Sequence, residues 1–102
     1  MPVGKRVLLL TADLVFRSKL AGVVAAAGGE VTRDEALCDL AVLELEGAAT
    51  GRVGELLRRS IPVLAFGSHV RPDVLRAARE AGATAVPNSQ VVQRLAELLK
   101  TS

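Results

Sequence analysis

Short apolar runs of strand length alternate along this chain with segments that carry apolar residues at helical spacing. The segment of residues 6–11 (RVLLLT) contains a continuous apolar run, which is typical of a parallel strand that is buried on both faces. Residues 14–27 follow with apolar side chains at helical spacing, and Gly28-Gly29 supplies a left-handed stop. Because strands and helices keep alternating in this way, the sequence predicts one parallel sheet with helices on both faces.

Five strands and four helices are predicted from this pattern, and the connections between parallel strands should be right-handed. The strand segments are residues 6–11, 30–33, 41–45, 62–66 and 84–86, and the helical segments are residues 14–27, 47–60, 72–81 and the stretch after 88. Asp13 is placed to cap the first helix, and Asn88 or Ser89 to cap the last. Pro72 suits the first position of the third helix, and Gly82 suits its end.

The connection between the second and third strands is unusually short. Only residues 34–40 separate the two strands, which is barely two helical turns. A parallel crossover usually takes a dozen or more residues. We therefore expect a truncated or irregular crossover at this point.

Composition excludes several classes of function. The chain has 102 residues, half of them hydrophobic, which predicts one domain over residues 1–102 with a substantial core. Its 13 Lys plus Arg nearly balance 11 Asp plus Glu, and Trp and Tyr are absent, so no nucleic-acid partner is expected. One Cys and one His exclude an internal disulfide and any multi-Cys or His-pair metal site. We expect no metal and no other cofactor.

The apolar stretches are too short to span a membrane or to form the core of a signal peptide. Together with the single Cys, this predicts a cytoplasmic protein without a membrane partner. Scarce Asn, Gln, Met and Cys beside abundant Arg, Ala, Leu and Val fit a thermophile and a GC-rich genome equally well.

Ligand sites in parallel α/β sheets lie at the carboxyl ends of the strands. Here the positions to inspect are residues 11–13, 44–47, 67–69 and 87–89. His69 lies in one of these loops without a second His or a Ser-His-Asp partner, and Cys38 lies in the short crossover. The glycines are too scattered for a phosphate-binding loop. An enzyme is not predicted, and a small enzyme with a strand-end site stays only as an alternative.

The order and spacing of these elements resemble the receiver domain of two-component response regulators. Residues 39–45 (DLAVLEL) are similar to the family's third strand, which typically reads D-L-V-L-L-D-L. Residues 62–68 (PVLAFGS) are similar to its fourth strand, and residues 81–83 (AGA) to the approach to its fifth. The resemblance implies a single doubly wound, flavodoxin-like α/β domain with strand order 2-1-3-4-5 and a shortened crossover between strands 2 and 3.

The family's chemistry uses an acidic pair after the first strand to hold Mg²⁺ and an Asp at the end of the third strand to accept a phosphoryl group. In this sequence Thr11 and Ala12 stand in place of the acidic pair, and Asp13 follows one residue late. Glu44 stands at the position of the phospho-acceptor Asp. Without two carboxylates, a Mg²⁺ site lacks its oxygen ligands.

The family also uses a Thr or Ser after the fourth strand and a Lys after the fifth to bind the phosphoryl oxygens. Here Gly67 stands at the first of these positions, with Ser68 one residue on. Asn88 or Ser89 stands at the position of the Lys. The resemblance therefore implies a degenerate receiver pocket that does not run the phosphorelay.

Two acidic residues carry alternative interpretations. Glu44 is either a fixed negative charge that reaches into the space of a phosphoryl group, or a solvated carboxylate at a strand end. Asp13 is either the cap of the first helix or a residual ligand that binds a divalent cation weakly with Glu44 and Glu46.

The most favoured function is a receiver-like regulatory and protein-interaction module in signal transduction that acts without phosphorylation. A receiver that accepts phosphate at an atypical site is the first alternative. In the family, partners and second copies commonly contact the fourth helix, fifth strand and fifth helix, which here span residues 72–100. Val74, Ala78 and Ala81 are expected to face inward. The predicted outward face, for a protein partner or a weak homodimer, comprises Arg76, Arg79, Glu80, Gln93, Arg94 and Glu97.

Overall fold

A single five-stranded parallel sheet organises the protein in a computed structural model that describes residues 5–45 and 50–100. The strands are β1 (Arg6–Leu10), β2 (Glu30–Thr32), β3 (Leu40–Glu44), β4 (Val63–Gly67) and β5 (Thr84–Pro87). They lie in the order β2-β1-β3-β4-β5, and every neighbouring pair is parallel. The predicted fold class and strand order are therefore confirmed.

Four α-helices are present in the described residues, namely α1 (Leu14–Ala26), α2 (Thr50–Arg58), α3 (Pro72–Ala81) and α4 (Val91–Lys100). The predicted start of the second helix at Gly47 lies outside the described residues. Within the described ranges, no helix has the length and apolar character needed to cross a membrane.

Local capping signals fix both ends of α1. The Asp13 carboxylate accepts hydrogen bonds from the backbone N–H groups of Val15 and Phe16, at 2.9 and 3.1 Å. Gly28 takes a left-handed conformation with φ of 81° just after the helix, where a side chain would be strained. The predictions of an N-cap at Asp13 and a glycine stop are both confirmed.

The sheet divides the core into two layers. On the first face, which we name the α1–α4 face, those two helices pack on β1, β3 and β4, and the rings of Phe16 and Phe66 lie 5.2 Å apart. On the second, the α2–α3 face, buried alanines such as Ala41, Ala65 and Ala85 contribute to the packing with α2 and α3. Both faces of β1, β3 and β4 are thus buried, as their continuous apolar runs require.

The connection between β2 and β3 contains one 3-10 turn, Glu35–Leu37, and no α-helix. The Glu35 carboxylate pairs with Arg52 of α2 and with Arg59, the latter at 2.6 Å. We name Glu35, Arg52 and Arg59 the crossover ion cluster. The cluster joins the short connection to α2. Because this connection holds one 3-10 turn and no α-helix, the prediction of a truncated crossover is confirmed.

Two local predictions were wrong. Ala81 is exposed, because α3 ends there and Gly82, with φ of 113°, turns the chain so that Ala83 takes the buried position instead. The expected cap of the last helix is replaced by a 3-10 turn, Asn88–Gln90, that runs directly into α4. Neither Asn88 nor Ser89 caps α4 with its side chain.

Candidate functional site

A cleft opens at the carboxyl edge of the sheet, between the ends of β1 and β3. Its volume is about 480 Å³, and it is lined by Leu9, Leu10, Thr11, Ala12, Leu43, Glu44 and Arg52. In the order β2-β1-β3-β4-β5, the chain reverses its direction of winding between β1 and β3. Ligands of open parallel sheets bind at such switch points, so the fold itself favours a site here.

Glu44 is the last residue of β3 and contributes a half-buried carboxylate to the cleft. The Thr11 hydroxyl donates a hydrogen bond of 2.5 Å to Oε1 of Glu44 and accepts one of 3.1 Å from the backbone N–H of Asp13. These contacts fix the carboxylate against the loop that leads from β1 into α1. Glu44 is therefore hydrogen-bonded and partly withdrawn from solvent.

Sequence reasoning missed the role of Thr11 as the partner of Glu44. The two residues are 33 positions apart, and Thr11 stood out only as a departure from the acidic pair. The signal was nevertheless present in the topology: β1 and β3 are neighbours, and Leu10 pairs in register with Leu43. The next residues along these strands, Thr11 and Glu44, are therefore brought side by side.

Asp13 lies next to the cleft but does not line it, because its carboxylate is bound to the first turn of α1. Glu46, the third carboxylate of the predicted weak cation site, lies outside the described residues. Among the residues that are described, no group of three His, Cys, Asp or Glu side chains is placed to hold a metal ion.

The predicted pocket residues at the ends of β4 and β5 do not line the cleft. Gly67 is the buried last residue of β4 and pairs in register with Pro87. The Ser68 hydroxyl accepts a hydrogen bond from the backbone N–H of Val70 at 3.3 Å. Oδ1 of Asn88 is buried without a hydrogen-bond partner in the described structure, and Ser89 is exposed. The structure thus groups Thr11, Ala12 and Glu44 in the cleft, whose described lining does not include these other positions.

Arg52 is a cleft residue that the sequence analysis did not single out. Its guanidinium pairs with Glu35 of the crossover and, at 2.6 Å, with Glu55 one turn along α2. The spacing of Arg52 and Glu55 was visible in the sequence as a helical i,i+3 pair. The pairing with Glu35, by contrast, depends on the position of the short crossover.

The residues predicted to form an interaction face on α3, β5 and α4 are all exposed: Arg76, Arg79, Glu80, Gln93, Arg94 and Glu97. Nε of Arg79 donates a 3.0 Å hydrogen bond to the backbone carbonyl of Ala85, on the edge strand β5. Arg94 pairs with Glu97 at 3.7 Å. Among the described residues, Arg76 has no ion-pair partner within 4.0 Å.

The arrangement of strands and helices is the flavodoxin-like receiver fold, and solved structures of response regulators share it. HP1043, an orphan response regulator of H. pylori, is 22% identical with a TM-score of 0.75, over 95% of this chain and 96% of its own. A putative response regulator from Chloroflexus aurantiacus is 23% identical with a TM-score of 0.74, over 96% of each chain.

NtrX from Brucella abortus is 15% identical with a TM-score of 0.71, and the match covers 97% of this chain. This chain spans only 28% of the length of NtrX. No protein-family model and no curated protein matches the sequence.

Proposed function

We propose that this receiver-fold domain is a regulatory protein-interaction module in signal transduction that works without being phosphorylated. The observation that carries the proposal is the contact between the Thr11 hydroxyl and the Glu44 carboxylate at the end of β3. The Glu44 carboxylate gives the strand-end pocket a negative charge, and the Thr11 hydroxyl holds that carboxylate in place. The similarity to response-regulator structures supports the signalling context.

Phosphoryl transfer in such a pocket needs oxygen ligands for Mg²⁺ and cations that neutralise the charge of the phosphate. Among the described residues, the Asp13 carboxylate is engaged by the backbone of α1, and Glu44 shares one oxygen with Thr11. The positions after β5 hold Asn88 and Ser89, neither of which carries a positive charge. These features favour a constant state over one that is switched by phosphate.

The test is intact-mass spectrometry after incubation with acetyl phosphate and Mg²⁺. We expect no gain in mass, whereas a receiver domain with an Asp acceptor, treated in parallel, should gain one phosphoryl group. A Mg²⁺-dependent gain that disappears in Glu44→Gln would overturn the proposal. It would establish instead that Glu44 accepts phosphate at an atypical site.

The proposed mode of action is binding and not catalysis. Among the described residues, those that line the cleft include Thr11, Glu44 and Arg52 as polar groups, but no Ser, Cys or His. The hydroxyl of the described lining is that of Thr11, which contacts the Glu44 carboxylate, and no His lies beside it in that lining to act as the general base that hydroxyl nucleophiles commonly use. The proposed location is the cytoplasm, where a lone thiol such as Cys38 stays reduced.

The proposed surface for a protein partner or a second copy is the exposed face of α3, β5 and α4. Arg76 supports this proposal because its charge has no ion-pair partner in the described structure, whereas Arg79 is bound to the edge of β5. A contact through exposed charges is worth about 0–1 kcal/mol for each ion pair, so any dimer should be weak and sensitive to salt.

Light scattering over a range of protein and salt concentrations tests this surface. We expect weak self-association that falls as salt is raised and that is reduced in Arg76→Glu. Arg58→Glu, at an exposed position on α2, is the matched control and should leave the association unchanged. A monomer at every concentration, or equal association of the wild type and Arg76→Glu, would remove this face as the site of self-association.

A further inference from the structure

The Glu44 carboxylate faces the cleft without a positively charged partner. Oε1 accepts the hydrogen bond from Thr11, but within residues 5–45 and 50–100 Oε2 has no hydrogen-bond partner. In the same described residues, no Lys, Arg or His nitrogen lies within 4.0 Å of either oxygen. A half-buried carboxylate loses part of its hydration, and a bound cation would compensate for that loss.

The cleft around this carboxylate is mostly apolar and of ligand size. Its volume of about 480 Å³ falls within the range of about 300–1,000 Å³ that is usual for ligand pockets. Leu9, Leu10, Ala12 and Leu43 supply the apolar part of its lining. A group that combines one positive charge with a short hydrocarbon chain would match both parts of this surface.

Arg52, the positively charged residue of the lining, is already neutralised. Its guanidinium pairs with the carboxylates of Glu35 and Glu55, so it carries two acidic partners of its own. The charge that lacks a counter-ion among the described lining residues is therefore that of Glu44. The electrostatics of the cleft favour a cationic ligand over an anionic one.

We propose that this cleft binds a primary alkylammonium group, with Glu44 as its counter-ion. A guanidinium fork uses both oxygens of a carboxylate, and the Thr11 hydroxyl occupies one of them. An ammonium group is a compact charge with three donors, which suits the single free oxygen. A divalent cation prefers six or more oxygen ligands, and the described residues place no acidic cluster here.

The alkyl part of the ligand packs along the leucines of the cleft, as the stems of lysine side chains pack on apolar surfaces. The same chemistry is offered by a free small amine and by a lysine side chain of another protein. The proposed binding site is confined to the cleft. It does not depend on whether the α3, β5 and α4 face binds a partner.

The experiment is an NMR titration of the ¹⁵N-labelled protein with n-butylammonium chloride. We expect saturable shifts of the backbone amides around the cleft, at Leu10, Thr11, Leu43 and Glu44. A parallel titration with blocked lysine (N-acetyl-lysine methylamide) separates the two sources. Shifts with both ligands indicate a site that admits a lysine side chain, and shifts with butylammonium alone indicate a site for a small free amine.

Glu44→Gln keeps the shape of the side chain and removes its charge, and it should weaken butylammonium binding at least about tenfold. Glu97→Gln removes an exposed carboxylate of α4 and should bind as the wild type does. The neutral analogue 1-butanol and n-butylguanidinium should both bind more weakly than butylammonium.

Four results would overturn the proposal: an absence of saturable shifts, equal affinity of the wild type and Glu44→Gln, equal affinity for 1-butanol, or equal affinity for n-butylguanidinium. Because the spectrum of each variant also reports its fold, a variant that unfolds is recognised at once. In that case Thr11→Val, which frees Oε1 and leaves the charge of Glu44 in place, provides the second test: it should still bind butylammonium and should bind n-butylguanidinium more tightly than the wild type does, and a variant that binds neither ligand would overturn the proposal. The titration measures no phosphorylation, so its failure is distinct from a failure of the proposed function.

Discussion

Both faces of the sheet are packed by buried apolar side chains, and the α2–α3 face adds a cluster of ion pairs to that packing. On the α1–α4 face, helices pack through large apolar side chains, and Phe16 lies against the fully buried Phe66. On the α2–α3 face, the crossover that might have carried a third helix is reduced to one 3-10 turn, which the crossover ion cluster joins to α2. At the short crossover, ion pairs therefore supplement the apolar core that α2 and α3 share with the sheet.

The largest expected loss of stability comes from truncating a buried side chain of the α1–α4 face. Phe66→Ala removes a fully buried ring that packs against Phe16, and truncations of this kind cost about 3–5 kcal/mol of unfolding free energy. Urea denaturation followed by circular dichroism measures the change. Val70→Ala, at a side chain that is 68% exposed, is the control and should stay within about 0.5 kcal/mol of the wild type. Similar losses in both variants would contradict the view that this face is stabilised by packing.

A smaller and salt-dependent effect is expected from the crossover ion cluster. Glu35→Gln leaves two guanidinium groups without their shared carboxylate, and we expect a loss of about 1–2 kcal/mol at low ionic strength. At about 1 M salt, where charges are screened within roughly 3 Å, the difference from the wild type should shrink. Glu97→Gln removes one exposed pair and should change stability by a few tenths of a kcal/mol. A loss for Glu35→Gln that is independent of salt would show that the cluster does not act through charge.

A substitution of Asp13 tests whether the stability of the α1–α4 face depends on the first turn of α1, the longer of its two helices. Asp13→Ala removes the side chain that accepts from Val15 and Phe16, and loss of an N-cap costs about 1 kcal/mol. Asp13→Asn retains an acceptor oxygen and should recover most of this stability. Denaturation gives the size of the effect, and hydrogen exchange at the amides of Val15 and Phe16 gives its location. If exchange at those two amides is unchanged in Asp13→Ala, the cap is not what holds the first turn.

The smallest effect concerns the thiol beside the crossover turn. Burial, and the nearby negative charge of Asp39 to a lesser degree, raise the pKa of Cys38, whose thiol donates to the carbonyl of Glu35. The folded state therefore keeps this proton at a pH where the unfolded chain releases it. Stability should therefore fall slightly as the pH rises above about 8.5, the usual pKa of a free thiol.

Comparison with Cys38→Ala isolates this effect, because the variant lacks the proton in question. Denaturation at several alkaline pH values should give a slightly steeper decline for the wild type. Alkylation of Cys38 by iodoacetamide in the folded protein should also be slower than that of a free thiol. Equal reactivity in the folded and unfolded states would contradict the raised pKa.

The fold was largely predictable from local signals. The apolar runs located the strands because strands buried on both faces leave few polar positions, and Asp13 and Gly82 marked helix ends because backbone geometry favours those residue types there. The truncated crossover followed from counting residues between two strands. The strand order came from the resemblance to receiver domains, and the sheet topology confirms it.

The details of the candidate site were less predictable because they depend on side chains that meet across the sheet. The hydrogen bond from Thr11 to Glu44 and the ion pair between Glu35 and Arg52 join residues 33 and 17 positions apart. No local pattern encodes which way such side chains turn. The functional importance of Glu44 stays a prediction, although its carboxylate is half-buried and hydrogen-bonded rather than fully solvated.

The brevity of the crossover also bears on how fast the chain can assemble. The entropy lost on closing a loop grows with the logarithm of its length, and each halving of the length saves roughly 0.6 kcal/mol. Residues 33–39 are all that separate β2 from β3, but β3 pairs with β1, whose Val7 lies 33 positions before its partner Leu40. The partners Leu64 and Thr84 of β4 and β5 are only 20 positions apart. Because pairings of low sequence separation speed folding, we expect the three-stranded unit β3-β4-β5 to form before β1 and β2 join the sheet.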